Sequence, residues 1–190
     1  MDPLTTTYIH NWLTIWGRGP YSGRKTKIGL DIRGYYGVKL VGIREATDEE
    51  YEEPLIVVTE YFGAFPDAVK GMNLPELSKN DMGTLVFSIQ GQGPETEISY
   101  SGYHEFRRQL ADHFAENFST HPVGKPFWEL LHMSDCQGFF SPEVVKEVAR
   151  DFSTYHSSFT TARPLWGSVY CRWMEVFGWA AANDGIVVQS

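Results

Sequence analysis

The chain has 190 residues, enough for one domain with a substantial buried core. Hydrophobic residues at 42% and charged residues at 21% are ordinary for a globular protein, while aromatic residues at 15% are numerous enough to serve a ligand pocket or partner surface as well as a core. A formal charge of −8 argues against nucleic acid as a partner, because a basic face supplies most of that affinity; it permits a basic protein, which an acidic surface steers.

The opening residues, MDPLTTTYIHNW, lack the basic end and apolar run of a secretory signal, and no apolar stretch approaches the roughly 18 residues that span a membrane. Cys136 and Cys171 are too few for a disulfide framework, so a reducing cytoplasm with both thiols free is expected. Residues 8–16, YIHNWLTIW, fit two descriptions. Tyr8, Trp12 and Trp16 have helical spacing, while the β-branched and aromatic content suits a strand. GRGPYSGRKTK follows as a basic loop rich in Gly and Pro. KIGLDIR then alternates, with Ile28, Leu30 and Ile32 on one face, and YYGVKLVGI continues the sheet past a turn or bulge at Gly34 and Gly37. EATDEEYEE reads as a solvated acidic turn and PLIVVTEYF as an interior strand. Residues 63–83 form a loop. TLVFSIQ and ETEISY alternate on either side of Gly91, Gly93 and Pro94, which predicts a hairpin.

Beyond residue 100 the period lengthens from two to about 3.6. Tyr103, Phe106, Leu110, Phe114 and Phe118 make one helical face, with Ser101 placed as its cap. Phe127, Leu130 and Leu131 predict a short helix. Ser141, Pro142 and Glu143 start another, whose buried stripe is Val144, Val145, Val148, Ala149 and Phe152. Trp166, Val169, Tyr170, Trp173, Phe177 and Ala181 do the same for the last helix, and Trp166 and Trp179 need not share one face, so one of them could be exposed to a partner. Gly185 ends it, and IVV returns as a strand. Strands first and helices second is an α+β pattern: a mostly antiparallel sheet over residues 1–100, a helical half over 101–190 packed on it, and no linker between them.

Three places in the sequence hold candidate chemistry. In HMSDCQGFF, a nucleophilic Cys136 would need a base such as His132, with Asp135 beside it; the alternatives are a ligand contact at Asp135, or a turn in which Asp135 bonds backbone N–H groups, Cys136 tucks into the core and Gly138 turns left-handed. His132 and Cys136 also have the spacing of half a zinc site. No second pair completes it, and His104, His113 and His121 are scattered, so no metal and no cofactor is expected. GRGPYSGRKT fails the Walker A spacing, yet Arg18, Arg24 and Lys25 with Tyr21 could hold a nucleotide-like anion, joined by Arg107 and Asp135 across an oligomer interface. Glu49, Glu50, Tyr51 and Glu52 form an acidic knot that is either solvated or a docking patch for a basic protein.

YSGYHEFRRQL, PFWELLHMSDCQGFFSPEV and FGWAAANDGIVV together resemble an uncharacterised family of bacterial and phage proteins. Its members join a YSG-aromatic helix start to an SDC-acidic-G turn and a last helix ending in an acidic-Gly strand. The matching positions are Ser101, Gly102, Tyr103, Arg107, Ser134, Asp135, Cys136, Gly138 and Gly185, while Gln137 stands where the family has an acidic residue. The helix–loop–helix layout is more distantly similar to immunity proteins that neutralise toxins. The resemblance implies a bacterial or phage setting. With the acidic surface, it leads to the expectation of a non-enzymatic binding protein of immunity or anti-defence type. The alternatives are a nucleotide-like small-molecule sponge and a hydrolase or transferase built on Cys136.

Overall fold

Leu30 and Ile32 are wholly buried and alternate with half-exposed neighbours along β1 (Leu30–Tyr36), the period-two pattern of a strand with one face on a core. The computed structural model describes residues 29–62, 70–72, 82–114, 116, 122–133 and 138–190. Gly37, at φ 61°, ends β1 in a conformation that favours glycine. The chain then leaves for a second sheet. β2 (Lys39–Ile43), β3 (Ile56–Phe62) and β4 (Met82–Ser88) form a three-stranded sheet in the order β2-β4-β3, whereas β1 joins β5 (Gly91–Ile98), β6 (Gly138–Phe140) and β7 (Ile186–Gln189) in the order β5-β1-β7-β6. Every strand pair is antiparallel.

The two sheets face each other across one apolar layer. Val57, Leu85 and Phe87 of the small sheet and Ile89, the residue after β4, meet Phe139, Ile186 and Val188 of the large one, with the Phe87 and Phe139 rings 5.6 Å apart. The opposite face of the large sheet carries Leu30, Ile32, Phe140 and Val187, which pack against helices. Strand alternation therefore sends Phe139 and Phe140, and Ile186 and Val187, into different cores. The result is three layers: small sheet, large sheet, helices. This is the expected α+β class, and among the described residues no helix is long and apolar enough to cross a membrane.

The helical layer is built from α2 (Tyr100–His113), α3 (Trp128–His132), α4 (Pro142–Ala162) and α5 (Gly167–Ala182). Ser141 caps α4 and Pro142 opens it, as the sequence predicts. A 3-10 turn, Pro164–Trp166, folds α5 back along α4. Their seam is aromatic: Tyr170 stacks on Phe159 at 4.6 Å, meets Phe152 edge-on at 4.9 Å, and donates its hydroxyl to the Phe152 carbonyl at 2.8 Å. Trp173 stacks on Tyr103 at 5.3 Å and joins α2 to this seam.

Several sequence expectations are corrected. β4 and β5 are not a hairpin, because residues 89 and 90 carry the chain between sheets: Ile89 N–H donates to the carbonyl of Leu55, just before β3 of the small sheet, and Gln90 N–H to that of Tyr36 in the large one. Gly91, Gly93 and Pro94 belong to β5. The register passes from Arg33↔Glu95 to Tyr35↔Gln92, so Gly93 and Pro94 together oppose Gly34 in a bulge. The Trp179 ring lies against that bulge, where a Cβ on Gly93 would stand 2.3 Å from it. PLIVVTEYF is an edge strand; the strands buried at every residue are β6 and β7, at 3 and 4 residues too short to advertise themselves. The acidic segment contains a helix, α1 (Asp48–Glu52), because Thr47 and Glu50 form a reciprocal capping box. Ser99, not Ser101, caps α2, its hydroxyl accepting from Gly102 N–H at 3.1 Å. Neither Trp166 nor Trp179 is turned out: the first stacks on Phe106 and the second meets Tyr36 edge-on.

Candidate functional site

The connection from β2 to β3 presents the acidic knot. Arg44, one residue past β2, donates from Nη1 and Nη2 to the two carboxylate oxygens of Glu50 at 2.7 Å each. Glu50 also accepts from Thr47 N–H at 2.9 Å. The Arg44 guanidinium, followed by the Thr47 N–H, holds this carboxyl down at about 2. Glu50 is thus a structural residue of α1. Asp48, Glu49, Glu52 and Glu53 are exposed and form no ion pair among the described residues. Around them, Val41, Ile43, Tyr51 and Leu55 are 50%, 37%, 49% and 50% exposed. Residues 41–55 therefore combine apolar surface with negative charge.

Arg107 is interior, 5% exposed on α2. Its Nη1 donates to the carbonyls of Met133 at 2.6 Å and Leu131 at 3.3 Å, and its guanidinium carbon lies 4.2 Å from the centre of the Tyr103 ring. Arg107 thereby caps the C-terminal end of α3 from inside. His132, at that same end, bonds through Nδ1 to the Trp128 carbonyl at 2.9 Å and stacks on the Trp128 ring at 4.9 Å. Asp135 and Cys136 lie outside the described residues, as do Ser134 and Gln137; Gly138 opens β6 at φ 155°. Arg18, Tyr21, Arg24 and Lys25 of the expected anion loop lie outside them too, with the ambiguous segment 8–16 and Ile28, Phe118 and His121. Cys171 is free and exposed, its Sγ 3.5 Å from His156 Nε2. Among the described residues no group of three His, Cys, Asp or Glu side chains could hold a metal ion.

A cleft of about 390 Å³ beside α3 escaped the sequence reading. Lys70, Lys125, Trp128, Glu129, Glu147, Arg150 and Asp151 line it. Ser141 Oγ donates to the Lys70 carbonyl at 2.7 Å, which seats Lys70 over the start of α4, and its Nζ then pairs with Glu147 at 2.7 Å. Asp151 accepts from Phe127 N–H at 2.8 Å, steadying the residue at φ 62° that begins α3. Burial pushes the carboxyls of Glu129 and Asp151 up, and the charge of Glu147 adds to both shifts. Glu147 and Asp151 are four residues apart on α4, beside its buried stripe, a spacing that could have flagged them. Trp128, Glu129 and Lys70 give no such signal.

Comparison of the chain with protein-family models, with curated proteins and with solved structures finds no match.

Proposed function

We propose that this chain is a non-enzymatic binding protein that neutralises a basic protein partner, in the bacterial or phage conflict setting that the sequence resemblance implies. The observation that carries the reading is the 41–55 connection. Four carboxylates without ion pairs among the described residues stand in one short stretch with Tyr51 and three exposed aliphatic side chains. Protein interfaces combine these components: apolar anchors for affinity, and charge of one sign to steer a partner of the other. The net charge of −8 extends the same preference to long range.

Immobilised protein should capture a basic protein from lysate of phage-infected or uninfected bacteria at low salt. Glu49→Gln and Glu52→Gln combined with Tyr51→Ala should release it, with the fold unchanged by circular dichroism. Equal capture by wild type and the triple variant would contradict this assignment of the surface.

A further inference from the structure

The cleft beside α3 has a wall and a chemistry unlike those of the acidic connection. Its volume, about 390 Å³, lies within the rough 300–1,000 Å³ range of small-ligand sites. The Trp128 indole lines it, held by the His132 ring stacked on it at an interplanar angle of 26°. Glu129 and Asp151 line it as well. Both are half-buried, and neither forms an ion pair among the described residues. One Asp151 oxygen accepts the Phe127 N–H, which leaves the other for a ligand.

We propose that this cleft binds a guanidinium group, stacked on the Trp128 indole and hydrogen-bonded to the carboxylates of Glu129 and Asp151. A guanidinium is planar, weakly hydrated and permanently charged. It can therefore stack flat against an aromatic face while its edge donates in parallel pairs to carboxylates, a geometry that a compact, strongly hydrated ammonium does not reproduce. A guanidinium there would add a directly hydrogen-bonded positive partner to two half-buried carboxylates that form no ion pair among the described residues. Lys125 and Arg150 line the same cleft, and Arg150 forms no ion pair among the described residues. They are placed to meet a carboxylate on the same ligand, so free arginine suits the mixed lining as well as an arginine side chain of a polypeptide does.

Calorimetric titration of the purified protein with L-arginine, with acetyl-arginine amide and with L-citrulline tests this. Citrulline keeps the shape and lacks the charge. Saturable binding of an arginine probe, with none of citrulline, is the expected result. Tighter binding of L-arginine identifies the free amino acid as the ligand; equal or tighter binding of the capped form identifies a chain-borne side chain. Glu129→Gln with Asp151→Asn should weaken binding by about tenfold or more. The Asn oxygen still accepts from Phe127, so the melting temperature should hold. Trp128→Leu should weaken it roughly threefold. Citrulline binding as well as arginine, arginine binding undiminished in the folded double variant, or no binding of either arginine probe would overturn the proposal. None of these outcomes touches the acidic connection, whose residues are different.

Discussion

Arg107 lies inside the molecule because α3 ends there with carbonyls facing inward. A helix leaves its last carbonyl groups without intrahelical donors, and here two flanking carbonyls fall within reach of one guanidinium. The Tyr103 ring beneath the guanidinium makes its burial tolerable. Arg107→Met keeps much of the volume and removes the donors, so it should lower stability by about 2 kcal/mol, read as a reduced urea midpoint with an unchanged slope. An unchanged midpoint would show that these carbonyls find other donors. From the sequence Arg107 is indistinguishable from a surface ligand contact. It sits one residue from the apolar stripe of α2, and only the position of α3 decides which way it faces.

Among the elements, α1 shows how a short sequence that looks merely solvated becomes ordered. It has 5 residues and buries none, so packing does not hold it. The capping box and the two-pronged Arg44–Glu50 pair do. Glu50, with its folded pKa depressed to about 2, favours the folded α1 above the ordinary carboxylate value of 4.5, and that contribution fades as pH falls towards 2. Arg44→Met should move the Glu50 titration up towards 4.5, as followed by carbon NMR of its carboxyl; an unmoved titration would mean that Thr47 alone sets it. The four long helical and strand segments with strong periodicity, around Leu30, Tyr103, Val144 and Tyr170, were legible because each buries a regular face. The β4–β5 crossing was not, since two alternating runs around Gly and Pro read the same whether they pair or part.

For the whole molecule, the last strand decides the architecture. β7 lies between β1 and β6, all four residues buried, with Val187 turned to the helices and Ile186 and Val188 to the small sheet. Both cores thus depend on one short segment that sequence periodicity barely marks. Val187→Asp places an unpaired charge in the helical core at a cost of several kcal/mol, comparable with the whole stability of a domain. It should yield insoluble protein or no cooperative thermal transition; a folded variant would contradict the central position of β7. The candidate sites follow the same logic of assembly. The acidic knot was visible because its residues are consecutive, whereas the cleft gathers residues from positions 70 to 151, and only the fold unites them. Residues 41–55 stand on the outer sheet and the cleft at the α3–α4 side, so one molecule offers two chemically distinct surfaces.

The most direct measurement is the association rate with the captured basic partner, taken across ionic strength for wild type and for Glu49→Gln/Glu52→Gln. A steered encounter predicts a rate that falls steeply with salt for wild type and less steeply for the variant, with dissociation little changed. Superimposable salt dependences for the two proteins would contradict docking on the acidic connection.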